Sequence, residues 1–249
     1  MVLLAILFLI TAILYSSVGF GGGSTYLALL VIWEVPYFIV PLIALSCNII
    51  VVSGNCFNYI RAGNLNLKLL SPYLIGSIPL AYIGGSIPIE KKFFEILLFL
   101  VLAIAGTLLL FNFKSYSDRK ESYIKIPASI SVIIGSILGF ISGVVGIGGG
   151  IFLSPILFLI KAAKPAHIVT AASLFILINS VSGLIGQLTK KTLLIEAQNY
   201  WYLFAVVLVG GLIGNFLNLK IFSTRILALI TAILVIFVAC RVGFKILLY

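Results

Sequence analysis

Two apolar stretches of this chain are too long for the helices they would otherwise form. Residues 2 to 32, and again 126 to 160, carry no charged residue, whereas one membrane-crossing helix uses about 20. Each stretch is interrupted by the same cluster, "GFGGG" at 19 to 23 and "GIGGG" at 146 to 150. Glycine destabilises a helix interior by about 1 kcal/mol relative to alanine, and backbone exposed to hydrocarbon is costly. The clusters therefore need a reason.

The solvent is lipid. The chain is 62% hydrophobic and only 9% charged, with a mean hydropathy of +1.29, against about a quarter charged in a soluble domain. The start, "MVLLAILFLI", has no Lys or Arg ahead of its apolar run and reaches "SSVGFGGG" without an A-x-A pattern, so a retained first membrane segment is expected over a removable signal peptide. The net charge of +10 belongs mostly in cytoplasmic loops and also favours anionic solutes. No basic face with interleaved aromatics exists, so nucleic acid is not an expected partner. Cys47, Cys56 and Cys240 lack C-x-x-C spacing and read as small buried residues.

Further apolar runs lie at about 37 to 60, 68 to 88 and 92 to 113, then at 166 to 188, 199 to 219 and 224 to 248, with the polar linker "KSYSDRKESYIK" (114 to 125) between the two sets. The halves read alike. Ser46 falls opposite Ser173 and Ser53 opposite Ser180 at the displacement that matches the glycine clusters, and "LAYIGG" (80 to 85) has a counterpart in "GGLIGN" (210 to 215). The expected fold is an all-α polytopic membrane protein with two homologous repeats, residues 1–113 and 126–249, joined by a cytoplasmic linker at 114–125. Each repeat is a glycine-broken helix or re-entrant hairpin followed by three transmembrane helices, an arrangement of many secondary transporters.

The repeats are parallel if each broken element crosses once and inverted if its two arms enter and leave on one side. The inverted scheme gathers Arg61, Lys68, Lys114, Arg119, Lys120, Lys125, Lys161, Lys164, Lys220 and Arg225 on the linker side. It leaves Lys91, Lys92, Lys190, Lys191, Arg241 and Lys245 opposite, with Glu34, Glu90, Glu95 and Glu196. That imbalance favours the inverted scheme.

Three readings of the clusters compete. A nucleotide loop is excluded, because neither cluster has the third glycine of G-x-G-x-x-G or a following G-K-[ST]. Tight helix packing fits the G-x-x-x-G spacing of Gly19 with Gly23 and of Gly146 with Gly150, but not the glycines between them. A deliberate break frees N–H groups and turns the positive end of the following half-helix toward the gap. Gly21, Gly22, Gly23, Gly148, Gly149 and Gly150 would then admit an anion to the backbone. Ser16, Ser17, Ser24, Thr25 and Ser142 would add hydroxyl donors. Such a site needs no arginine.

The helices after the breaks supply Ser46, Asn48, Ser53, Asn55 and Asn58 in one half, and Ser173, Asn179, Ser180, Ser182 and Gln187 in the other. Singly, each suits an interhelical hydrogen bond of about 0.6 kcal/mol; as a matched set facing two breaks they line a solute path. Arg61, at the end of its run, is placed to snorkel to the interface or to guard an entrance. His167 lies in the turn "KAAKPAH" as a helix-start residue. No Asp or Glu falls mid-span, so no coupling carboxylate is evident.

Paired "GFGGG" and "GIGGG" breaks, each before a Ser-containing helix, with "YIRAGNLN" (59 to 66) and "GSIPLAYIGG" (76 to 85) downstream, resemble the TauE/SafE sulfite exporter family, also called the 4-toluene sulfonate uptake permease family. The resemblance spans essentially the whole chain. It implies a permease of a bacterial or archaeal cytoplasmic membrane for small sulfur-containing anions such as sulfite or sulfonates. Members often carry a basic residue near the end of the post-break helix, where this chain has Gln187; the departure singles out Gln187 as a second entrance position. The expected function is export of such an anion by alternating access. The expected substrate-binding set is Ser17, Gly21 to Thr25, Ser46, Asn48, Gly148 to Gly150, Ser173, Asn179 and Ser180. The expected partners are a small anionic solute and the lipid bilayer, with room for a homo-oligomer.

An anion channel, or a permease for another small organic anion, could use the same breaks. A membrane enzyme would need a nucleophile with a base or a metal cluster; one turn-located histidine and no mid-span carboxylate offer neither, so no catalytic residue, cofactor or metal is expected. A scaffold subunit would use the glycines for packing alone.

Overall fold

The computed structural model describes residues 1–111, 123–124, 126–190, 196–217 and 224–247. The expected linker, 114–125, lies almost wholly outside the described residues, as do Lys191 and Lys220. The described residues are helical, without a strand. In order the helices are α1 (Val2–Val18), α2 (Gly23–Ile32), α3 (Val40–Arg61), α4 (Leu67–Ser86), α5 (Lys91–Phe111), α6 (Ala128–Val145), α7 (Gly150–Leu159), α8 (Pro165–Leu188), α9 (Trp201–Leu217) and α10 (Thr224–Leu247). Five described segments, among them α3, α4, α6 and α8, are long and apolar enough to cross a membrane. The protein is a multi-pass helical membrane protein.

Both long apolar runs break at their glycines. Helix α1 ends at Gly19 (φ 87°), whose N–H, with that of Phe20, donates to the Tyr15 carbonyl at 3.0 Å. Helix α6 ends in the same way at Gly146 (φ 90°), whose N–H donates to Ser142 O at 2.8 Å. Left-handed caps of this kind satisfy carbonyls that a helix end would otherwise orphan. The chain then turns back. Tyr26 of α2 stacks on Phe8 of α1 with ring centroids 4.8 Å apart, and the Tyr15 and Thr25 hydroxyls are 2.8 Å apart. At the start of α7, a Cβ on Gly149 would lie 3.5 Å from Leu138 O of α6. Both α2 and α7 have ten residues, about 15 Å of helix, half the hydrocarbon thickness. Each is a short arm of a helical hairpin.

Side-chain seams fix how the helices run. Gly135, Gly139 and Gly143 of α6 sit against the backbone of Tyr73, Ser77 and Ala81 of α4, where any methyl group would strike a carbonyl. Residue numbers rise together along this seam, so α4 and α6 are parallel. Small residues bring membrane helices together in this way. Helices α1 and α9 are parallel too, because Tyr202 meets Met1 while Ser16 donates to Gly211 O at 2.7 Å. At the centre, α3 and α8 are antiparallel. Gly148 touches both Asn48 and Ser180, and Gly183 lies 3.3 Å (from its would-be Cβ) from Leu45. Helix α5 packs on α10 at the flank.

Local sequence sets the other ends. Proline stands in the first turn of both α3 and α8, where its missing N–H costs nothing. Asn66 caps α4 by accepting the Leu69 N–H at 3.1 Å. One expectation needs correcting. Cys47 and Cys56 are buried, but Cys240 is exposed, because it lies on the face of α10 turned away from the bundle.

Candidate functional site

The tips of the two hairpins meet beside the middle of α3 and α8. A Cβ on Gly23 would lie 2.6 Å from the Ile147 carbonyl, so the loop before α7 touches the start of α2. Asn48 of α3 fills the junction. Its Oδ1 stands 2.6 Å from where a Cβ on Gly21 would be. Its Nδ2 stands 2.6 Å from that position on Gly23 and 2.8 Å from that position on Gly148. From α8, Ser180 Oγ lies 3.1 Å and Ile176 Cγ2 3.0 Å from the same point on Gly148. Any side chain at these three glycines would fill the space that Asn48 faces.

The arms begin at Gly22 (φ 76°) and Gly149 (φ 75°), both left-handed, a conformation that costs an L-residue about 1–2 kcal/mol. No side chain caps either helix. The first N–H groups of a helix have no intrahelical acceptor, and the positive ends of both arms converge on the junction.

The polar side chains here divide into committed and uncommitted groups. Asn48 and Ser180 are fully buried, and Asn48 Oδ1 and Nδ2 and Ser180 Oγ have no hydrogen-bond partner. Ser142 Oγ, below the second break, is likewise buried and unpartnered. A buried polar atom left unpaired costs about 1–3 kcal/mol, and such atoms in native structures are rare enough to need an explanation. Ser173 donates to the Gly19 carbonyl, Ser16 to Gly211 O and Thr25 pairs with Tyr15. These three brace the first tip. Ser24 is buried in the first turn of α2.

Other expected site residues lie elsewhere or are engaged. Ser17 donates to Leu14 O of its own helix. Ser46 is half-buried, two residues before Asn48 and so on nearly the opposite face of α3. Asn179 donates from Nδ2 to Phe175 O at 2.8 Å, leaving Oδ1 unpartnered. Ser53 is exposed and bonded to Ile49 O, unlike its counterpart Ser180. Asn55 donates to Val51 O and Asn58 to Asn215 Oδ1. Ser182 donates to Ile78 O at 2.6 Å. Arg61 is exposed at the end of α3. Gln187 is buried and tied at both ends, donating to Gly143 O at 2.8 Å and accepting from Lys190 Nζ at 3.0 Å. His167 sits in the first turn of α8, 2.8 Å from Asn64 O.

Sequence reasoning missed a second feature. A cavity of about 640 Å³ opens at the foot of α2, where α3, α5 and α10 converge, lined by Val31, Tyr37, Lys91, Phe94 and Glu95 among others. Arg241 of α10 closes one side, donating to Ile32 O at 3.1 Å and lying 3.7 Å from Glu34. Its residues come from three separate stretches of the chain, and no local motif joins them. Among the described residues no three His, Cys, Asp or Glu side chains are grouped to hold a metal ion.

The family model for the sulfite exporter TauE/SafE matches residues 3–242. The chain belongs to that family. Among similar proteins, a probable membrane transporter protein, y4hK, of Sinorhizobium fredii is 28% identical over 93% of both chains. The probable membrane transporter protein YunE of Bacillus subtilis is 25% identical over 98% of this chain and 97% of its own. The probable membrane transporter protein MJ0441 of Methanocaldococcus jannaschii is 32% identical over 76% and 73%. No solved structure matches the chain. A family member aligned over this length is a membrane transporter and not an enzyme.

Proposed function

We propose that this transporter exports a small sulfur-containing anion, sulfite or a sulfonate, across the cytoplasmic membrane by alternating access. The anion sits between the two hairpin tips, bound by the free N–H groups at Gly23 to Thr25 and at Gly150, by Asn48 and by Ser180. The observation that carries the reading is the buried amide of Asn48, unpartnered on both atoms, at the meeting point of two uncapped helix N-termini. An anion there makes hydrogen bonds that the protein leaves unmade, in a setting where oriented backbone dipoles replace a cationic side chain.

The packing supports a pair of inverted repeats. Exchanging α1–α5 with α6–α10 turns the α4–α6 contact into α9–α1, α4–α8 into α9–α3 and α2–α10 into α7–α5, all of which are present. The antiparallel run of α3 and α8 fits inversion. So does sidedness. His167 meets Asn64, and Ile124 N–H donates to Lys161 O, which gathers Arg61, Lys68, Lys161 and Lys164 on the side of the linker, the cytoplasmic one by its positive charge. The Arg241 cavity opens opposite and serves as the outer vestibule. The two halves of the site differ, since Phe175 stands at the position in α8 that Asn48 holds in α3. The ring and Ile176 offer an apolar wall for an organic substituent beside the polar tip.

Tracer counterflow in proteoliposomes tests the proposal. Labelled sulfite or toluenesulfonate should exchange against the unlabelled anion inside, and a large excess of chloride should not compete. Large unitary currents without counterflow would make the protein a channel. Flux of neither anion would remove the sulfur-anion reading.

A further inference from the structure

Every polar atom at the tips is neutral. Asn48 brings an amide, Ser24, Thr25, Ser173 and Ser180 bring hydroxyls, and the rest is backbone. The titratable groups on the elements packed there are three phenols, two thiols and a guanidinium: Tyr15 on α1, Tyr26 on α2, and Cys47, Cys56, Tyr59 and, exposed at the far end, Arg61 on α3. Phenols titrate near 10 and thiols near 8.5, so all are protonated at neutral pH. Helices α6 and α7 bring no titratable group. Helix α8 brings only His167 in its first turn, two turns short of Ser173 and held by Asn64 O. Of the chain's six acidic residues, Glu34, Glu90 and Glu196 lie outside the helix interiors and Glu95 lines the cavity at the foot of α2. Asp118 and Glu121 are in the linker, outside the described residues.

The carbonyls that end α1 and α6 and those that cap α2 and α7 are already used. Tyr15 O accepts from Gly19 and Phe20, Ser142 O from Gly146, Gly19 O from Ser173, Gly22 O from Tyr26, and Gly149 O from Phe152 and Leu153. The junction presents donors. Its acceptors are Asn48 Oδ1, the Ile147 carbonyl beside Gly23 and the lone pairs of its hydroxyls, and the positive ends of both arms disfavour a cation next to them.

We infer that the protein carries its anion as a net negative charge, with no proton or sodium ion moving alongside, so that the membrane potential drives export. This rests on the reading that the tips hold the anion. Moving one charge across 100 mV is worth about 2.3 kcal/mol, which at about 1.36 kcal/mol per tenfold is a distribution ratio of about 50 for a monoanion. With the interior negative that drive points outward whichever way the protein is inserted.

Labelled methanesulfonate, whose single charge does not titrate, is the probe. Full-length protein in potassium-loaded proteoliposomes is clamped with valinomycin at 0 or 100 mV, with or without a one-unit pH step or a tenfold sodium step. Tracer counterflow at 0 mV reads the site itself. The expected result is counterflow at 0 mV, a steady-state ratio of about 50 at 100 mV, and no shift in that ratio with the pH or sodium step. Counterflow with a ratio near 1 at 100 mV, or one that follows pH or sodium about tenfold, overturns net-charge transport and leaves the site reading standing. Absence of counterflow overturns both.

Discussion

Replacing Asn48 with leucine separates two roles that a buried amide can have. The side chain is fully buried and neither of its polar atoms has a protein partner. Leucine has the same branched shape, is somewhat larger, and has no polar atom to desolvate. Each unmade bond costs about 1–3 kcal/mol, so Asn48→Leu should raise the unfolding free energy by about 1–3 kcal/mol, even allowing for imperfect packing. Transport should move the other way. A hydrogen bond to a charged group is worth about 1.5–3 kcal/mol, so losing one should weaken anion affinity about 10- to 150-fold at 1.36 kcal/mol per tenfold. The assay pairs thermal unfolding in detergent with the half-saturating concentration in tracer counterflow. A variant that is less stable and transports with unchanged affinity would refute the reasoning, because Asn48 would then be a structural residue whose partners form only in the protein's own packing.

The remaining expectations follow the same division between committed and uncommitted groups. Ser180→Ala should leave unfolding nearly unchanged, since its hydroxyl has no partner, yet weaken anion affinity up to about tenfold; Ser173→Ala, which loses the bond to Gly19 O, should cost about 1 kcal/mol of stability. Gly149→Ala should be the harsher of two tip substitutions. Both it and Gly22→Ala incur about 1–2 kcal/mol for the left-handed backbone, but a Cβ at 149 would also stand 2.8 Å from Phe175 Cε1, against 3.2 Å at closest for position 22; thermal melts rank them. Gln187→Leu breaks the bonds to Gly143 O and Lys190 and should cost about 1–3 kcal/mol while leaving the preference among sulfite and sulfonates unchanged, as competition in counterflow would read.

Much of this architecture is legible in the letters because hydrocarbon leaves few options for backbone. Glycine clusters inside overlong apolar runs mark helix ends, and both ends fall where the clusters stand, at Gly19 and Gly146. The direction of the chain after each break is not legible. A ten-residue arm that continues and one that folds back have the same composition, and only contacts such as Phe8 on Tyr26 distinguish them. Matched position also says little about burial. Ser53 and Ser180 stand at the same displacement from their glycine clusters, yet Ser53 is exposed and Ser180 buried, because the stretch of α3 around Ser53 has an open face while that of α8 is covered by α4, α6 and α3. Gln187 stood out as a gap in a charge pattern, whereas its bonds are to α6 and to its own helix end. The cavity at Arg241 joins residues from three separate stretches, a coincidence that spacing along the chain does not encode.

The central claim is that two uncapped helix starts and Asn48 together hold an anion at the junction of the hairpins. Selenite, in which selenium takes the place of sulfur, can be located by its anomalous scattering in crystals of the protein grown in lipid. A single strong selenium peak within hydrogen-bond reach of Asn48 and the backbone N–H groups of Gly23 to Thr25 and Gly150 is the expected result. Saturating selenite with its peak at a loop or in the Arg241 cavity, and none between the tips, would contradict it.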